Sequence, residues 1–203
     1  LWYLLSPAKE ENHPPIAEAG PDGVVECNGG TGVVNLDGSA SSDLDGDALN
    51  YEWLESGVLL GRGASLKVTL PSGSHLLTLR VTDSHGASSE DHLTVSVVDS
   101  IAPVLLCPVG TSAAADATGV ARIPDALAGL VASDSCTPSA NLVRSQSPVA
   151  GTVVGLGRHT ILVTVADGAG HQVSCSTTFT VTDVTSPEVQ CPESTTASAD
   201  EDG

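Results

Sequence analysis

Residues 79 to 99 (LRVTDSHGASSEDHLTVSVVD) return as residues 163 to 183 (VTVADGAGHQVSCSTTFTVTD), 84 positions further on and without a gap. The same step pairs Gly73 with Gly157, His75 with His159, Asp83 with Asp167, Gly86 with Gly170, Pro103 with Pro187, Cys107 with Cys191 and Pro108 with Pro192. Internal repetition constrains the fold more than any single motif, because one supersecondary plan must serve each copy. Units of about 85 residues suit a small β-sandwich. The chain divides into an N-terminal extension (1–12), a first unit (13–99), a second unit (100–183), and residues 184–203, the opening strand of a further unit or an assembly tail.

Within the first unit the strands are legible. Val33 to Leu36, Leu49 to Leu54, Leu76 to Thr82 and His92 to Val98 alternate apolar and polar residues, the period of a half-buried strand. Leu77, Leu79 and Val81 point inward, as do Leu93, Val95 and Val97. Breakers fall between the strands at Gly20-Pro21-Asp22-Gly23, Asn28-Gly29-Gly30, Gly61-Arg62-Gly63, Pro71-Ser72-Gly73 and Asp83-Ser84-His85-Gly86. Helical periodicity is absent. Pro14, Pro103 and Pro187 stand where each unit opens, a place that suits a fixed φ and a missing donor. The expected class is all-β, tandem immunoglobulin-like β-sandwiches.

The net charge is −18, with only 7 Lys and Arg against 25 Asp and Glu. The carboxylates are spread over loops and strand faces, a surface that repels nucleic acid and anionic membranes and attracts cations. No stretch approaches the roughly 18 apolar residues of a membrane span. The five cysteines lie far apart and fit no metal-ligand spacing, which favours disulfides and an oxidising, extracellular compartment.

Residues 13 to 99 resemble the polycystic-kidney-disease-type (PKD) domain, through Pro14 to Asp22 (PPIAEAGPD), Leu36 to Asp47 (LDGSASSDLDGD), Tyr51-Glu52-Trp53 and Leu79 to Asp83 (LRVTD). Residues 100 to 183 resemble the hyalin repeat (HYR). The motifs are Ala102-Pro103, Cys107-Pro108, Ser133-Asp134-Ser135-Cys136, Gly151-Thr152, Gly157-Arg158-His159-Thr160, and Ala166 to Gly170 followed by Cys175. Residues 184 to 203 are similar to the start of another hyalin repeat. His171 departs from the Asn common after that glycine. The resemblance implies an immunoglobulin-like sandwich used outside the cell for adhesion, spacing or assembly, without catalysis.

Asp43, Asp45 and Asp47 alternate in a tight turn that passes directly into the strand containing Tyr51 and Trp53. An EF-hand is excluded, because Ala48 and Leu54 stand where it needs Gly and Glu. In a sandwich of this topology the loop between strands B and C lies beside that between F and G. Asp83 then joins the acidic cluster, and Asn12 and His13 run past the same end. Converging carboxylates repel unless a cation bridges them, so the expected ligand is Ca²⁺. The competing reading is an Asx-turn with solvated carboxylates. Asp99, Asp134 and Asp167 form a thinner counterpart in the second unit. The topology also suggests a Cys136–Cys175 disulfide and a Cys27–Cys107 bridge, leaving Cys191 without a partner. Short-range Zn²⁺ ligand spacing is missing.

No G-x-S-x-G, H-E-x-x-H, P-loop or Rossmann pattern is present, so no enzymatic activity is expected. The expected role is an extracellular structural or adhesive protein, a stalk or filament of Ca²⁺-stiffened sandwiches, with copies of itself or other extracellular proteins or glycans as partners. The alternative is a non-catalytic spacer or substrate-binding region of a secreted hydrolase. Scarce aromatics disfavour a binding platform. Trp2, Tyr3 and Leu4 belong to an apolar, β-prone segment that, if the chain is complete, would pair head to tail with residues 184–203 of another copy; the alternative is a fragment of a longer repeat array.

Overall fold

The alternation at Leu77-Leu79-Val81 and Leu93-Val95-Val97 marks two neighbouring strands, and these form the longest antiparallel pair of the first repeat. The structure is a computed structural model that describes residues 11–192 and 194. The first repeat contains Gly23–Glu26 (β1), Thr31–Asp37 (β2), Asn50–Glu55 (β3), Val58–Arg62 (β4), Ser65–Pro71 (β5), Gly73–Thr82 (β6) and Ser88–Val98 (β7). One sheet has the order β1-β7-β6-β3-β4, and β2 pairs with β5 in a second. β1 runs parallel to β7, from Gly23 opposite Val95 to Glu26 opposite Val98. This is the immunoglobulin-like sandwich arrangement.

Val34, Leu36 and Leu70 from the smaller sheet meet Trp53, Leu77, Leu79, Val81, Leu93, Val95 and Val97 from the larger one in a single core. Each such side chain contributes about 1.5–3 kcal/mol when fully buried. Trp53 is fully enclosed, and its Nε1 donates to the Gly63 carbonyl at 3.1 Å, so its polar edge is also satisfied. Gly38 lies against this core: a Cβ there would come within 2.6 Å of Leu79 Cδ2. The glycine at 61, which reads as a breaker, sits inside β4 instead. Leu66 occupies the space that a Cβ at 61 would need, and a glycine in a strand often marks such a close approach.

The second repeat comprises Val104–Leu105 (β8), Thr111–Ala114 (β9), Val120–Arg122 (β10), Ala132–Ser133 (β11), a 3₁₀ turn at Ser139–Asn141, Val143–Ser147 (β12), Val153–Gly155 (β13), Gly157–Ala166 (β14) and Gln172–Thr182 (β15). Its main sheet has the order β12-β14-β15-β9, with β10–β13 and β11–β8 as separate pairs. Ile161, Val163 and Val165 are buried on β14, and Thr177, Phe179 and Val181 on β15. These repeat, 84 positions on, the inward residues of β6 and β7. The described residues from Val184 onward form no strand. Trp2, Tyr3 and Leu4 lie outside the described residues.

The described chain forms two compact units. One takes the residues through Leu106 together with Val131–Ser145 and Thr164–Ser174; the other takes Cys107–Leu130, Gln146–Val163 and the residues from Cys175 onward. Each unit contains one disulfide, and both pairings differ from those expected. Cys136 bonds to Cys27 with the Cα atoms 5.3 Å apart, and Cys175 bonds to Cys107 at 5.9 Å. The second follows from strand register. β9 runs parallel to β15 with Thr111 opposite Phe179, and four residues earlier the same register sets Cys107 opposite Cys175. For the first, the Gly29 N–H donates to the Ser135 carbonyl at 2.7 Å, which holds the loop containing Cys136 beside Cys27. Cys191 is exposed and unbonded.

His75 is buried between two acceptors. Its Nδ1 lies 2.6 Å from Glu55 Oε1 and its Nε2 lies 2.9 Å from the Pro71 carbonyl, an environment in which both ring nitrogens donate. The Glu55 carboxylate raises the His75 pKa above its ordinary value, against the opposing effect of burial.

Two expectations follow. Non-reducing peptide mapping will recover Cys27 linked to Cys136 and Cys107 linked to Cys175. Removing the first bond with Cys27→Ser and Cys136→Ser will cost about 2–5 kcal/mol in urea unfolding. The His75–Glu55 pair stabilises fully below the unfolded-state pKa of about 6.5, and this stabilisation is lost as pH rises through the higher folded-state value. Glu55→Gln will therefore destabilise the protein most at mildly acidic pH, with the gap to wild type narrowing at alkaline pH.

Candidate cation sites

Asp83 follows β6 at the tight turn into β7, where its carboxylate replaces the missing backbone partners. Oδ1 accepts the N–H groups of His85 at 2.8 Å and Ala87 at 2.9 Å. Oδ2 accepts Nδ2 of Asn12 at 2.8 Å. The Asn12 amide, followed by these backbone N–H groups, holds the Asp83 pKa below the ordinary value despite burial. The turn thereby fixes the segment that precedes the sandwich.

The loop between β2 and β3 meets the same turn. Asp43 Oδ1 accepts the N–H of Asp45 at 2.8 Å and of Asp47 at 3.2 Å, which folds the alternating aspartates inward. One oxygen from each of Asp43, Asp45 and Asp47 lies within 4.8 Å of the others. Asp47 receives the Ser84 hydroxyl at 2.8 Å and lies 2.8 Å from His85 Nδ1. Asp45 accepts the His13 backbone N–H at 2.7 Å, the leading cause of its lowered pKa, with the His13 ring second. Asp47 is likewise the main reason that the His85 pKa is raised.

Two oxygens in this region remain unused. Asp43 Oδ2 and Asn12 Oδ1 are sealed from solvent and have no hydrogen-bond partner among the described residues. A buried acceptor in that state costs about 1–3 kcal/mol, and more for a charged group. The all-oxygen donors suit a hard dication. The structure thus brings Asp43, Asp45 and Asp47 together, with Asn12 held at the neighbouring Asp83 turn. Both Asp83 oxygens accept hydrogen bonds, and through Oδ2 Asp83 positions Asn12.

The second repeat rebuilds this arrangement from Asp99, just after β7, Asp134, just after β11, and Asp167, just after β14. Asp167 Oδ1 accepts the N–H groups of Ala169, Gly170 and His171 at 2.7–2.9 Å. Burial alone would raise the Asp167 pKa, but the backbone and ring of His171 and the other N–H groups bring it below the ordinary value. Asp134 Oδ1 accepts the N–H of Cys136 at 2.8 Å and of Thr137 at 2.7 Å. The Thr137 hydroxyl links Gly168 N–H, at 3.1 Å, to Asp99 Oδ2, at 3.4 Å. Asp99 Oδ1 and Asp134 Oδ2 are sealed and unpartnered.

One oxygen each from Asp99 and Asp167 and one ring nitrogen of His171 lie within 4.8 Å of one another. Sequence reasoning missed His171 as a donor. The signal was its place in the repeat, where it corresponds to Ala87 beside the equivalent turn aspartate. Among the described residues, the ion-pair partners of these aspartates are imidazoles alone.

No family model matches the chain. It is 34% identical over 102 residues to low-density lipoprotein receptor-related protein 11 of Mus musculus, a match covering 46% of this chain and 20% of the relative. It is 37% identical over 99 residues to dyslexia-associated protein KIAA0319 of Homo sapiens, covering 44% of this chain and 9% of the relative. The chain therefore spans a fifth or less of these relatives. Among solved structures, Sidekick-1 immunoglobulin domains 1–4 align at a TM-score of 0.44 and 16% identity, covering 87% of this chain and 51% of that one.

Asp83→Ala strips Asn12 and two turn N–H groups of their acceptor. It will destabilise the protein by about 1–3 kcal/mol in chemical unfolding, whereas Asp45→Ala, at an exposed position, will cost less.

Proposed function

We propose that the chain is a structural or adhesive segment of an extracellular protein, built from a PKD-type sandwich (13–99) and an HYR-type sandwich (100–183), with Ca²⁺ bound at the first acidic cluster. The observation that carries this reading is the pair of sealed, unpartnered oxygens, Asp43 Oδ2 and Asn12 Oδ1, beside three converging carboxylates. A cation satisfies these acceptors and offsets the carboxylate repulsion together. Asp43, Asp45, Asp47 and Asn12 would hold it.

Two disulfides support an extracellular setting, and the receptor-related relative is consistent with it. The role is non-catalytic: the ion ties the loop after β2 to the segment before the sandwich, stiffening one end. The adhesive partner is another extracellular protein, a glycan or a further copy of the chain.

Binding to the folded state adds RT ln(1+[L]/Kd), about 1.4 kcal/mol at a tenfold excess over Kd. With a Kd of roughly 10⁻⁴ to 10⁻³ M, millimolar Ca²⁺ will raise the melting temperature by several degrees over the chelated protein. Asp43→Asn will abolish the shift. Identical melting curves in chelator and Ca²⁺ would reject the Ca²⁺ reading. For adhesion, beads coated with the chain will cluster, or bind extracellular matrix, in Ca²⁺ and not in chelator; equal retention in both would count against it.

A further inference from the structure

We propose that the second cluster binds a first-row transition dication of the Zn²⁺ class, with Asp99, Asp167 and His171 as ligands. The proposal does not depend on Ca²⁺ at the first cluster, because its donor set is chemically different.

The two turns share one backbone plan. The Ala87 N–H donates to Asp83 Oδ1 at 2.9 Å, and the His171 N–H donates to Asp167 Oδ1 at 2.8 Å. What changes is the side chain: a methyl group in the first repeat and an imidazole in the second. That ring brings a nitrogen within 4.8 Å of oxygens from two carboxylates. Oxygen-only sets suit Ca²⁺ and Mg²⁺, whereas imidazole suits Zn²⁺, Ni²⁺ and Cu²⁺. Three protein ligands with further positions open is an ordinary Zn²⁺ arrangement.

The His171 ring and Asp167 Oδ2 lie 3.0 Å apart, a separation that two ligands of one ion can share, and other oxygens of the cluster remain open. Asp99 Oδ1 is buried and has no partner, although its other oxygen is held by Thr137. Asp134 Oδ2 is also buried and unpartnered, one hydrogen-bonded step away through Thr137. The Asp167 side chain is 0% exposed while that of His171 is 37% exposed, which leaves an approach for a solvated ion. Ligand orientation is fixed from behind: three backbone N–H groups hold Asp167. Cys27 hydrogen-bonds through its N–H to the carbonyl of Val98, next to Asp99, at 2.8 Å. Its disulfide to Cys136 then steadies the loop that carries Asp134. Such supporting contacts typically govern metal affinity by 10- to 100-fold.

The full chain, with disulfides intact and metal stripped by chelator, will take up one equivalent of Co²⁺ with visible d–d absorption. Zn²⁺ will displace the Co²⁺, and a tenfold excess of Ca²⁺ will not. His171→Ala and Asp99→Asn will each weaken Co²⁺ binding by about tenfold or more, while Glu18→Gln, at an exposed carboxylate outside both clusters, leaves it unchanged. Circular dichroism and melting confirm folding; if either variant fails to fold, the other decides. Absence of Co²⁺ uptake would overturn the proposal, as would uptake indifferent to the folded variants or displacement by Ca²⁺ as readily as by Zn²⁺. Failure of the Ca²⁺ reading is separately visible, as a melting temperature that ignores Ca²⁺.

Discussion

A buried carboxylate at the turn between the two longest strands of each repeat sets the geometry of everything near it. Asp83 and Asp167 are both enclosed and accept N–H groups that the reversing backbone leaves without partners. A turn closed in this way cannot drift, because an enclosed carboxylate without its donors is expensive. The remaining oxygen of each takes a side chain: Asp83 takes Asn12, from the segment before the sandwich, and Asp167 takes the ring of His171 in its own turn. The chemistry at each cluster therefore begins as a solution to a folding problem.

The parts legible in sequence are those in which one residue type has one physical use. Period-two alternation marks β6, β7, β14 and β15 because their inward faces are buried. β4 and β5 are harder to see, since Gly61 reads as punctuation until the packing of Leu66 over it is known. The cysteine partners depend on a parallel register that no local pattern announces. Cys107 and Cys175 meet because β9 adds parallel to β15, an edge pairing that loop proximity alone does not reveal. The acidic residues were identifiable, but their division of labour was not. Asp83, expected among the ligands, also holds its own turn and Asn12, and those donors come within reach only in the folded chain.

The overall charge explains why these clusters stay open. The few arginines in the first repeat are engaged on the sheet face, where Arg62 and Arg80 meet Glu52 and Glu90. Among the described residues neither acidic end has a Lys or Arg ion-pair partner; their ion-pair partners are imidazoles. Exposed pairs of that kind add little stability by themselves. The sealed oxygens of Asn12, Asp43, Asp99 and Asp134 lie outside even this arrangement, since no donor among the described residues reaches them.

A repeated plan of this sort separates the fold from the choice of ion. The backbone at Ala87 and at His171 makes the same hydrogen bond to the equivalent turn aspartate, so that bond does not depend on the side chain, although the His171 ring adds a second contact to Asp167. Replacing a methyl group with an imidazole changes the donor chemistry of the cluster while the strands on either side keep their inward residues. If both clusters take ions as proposed, their preference would be set one unit at a time, at a single position beside the turn.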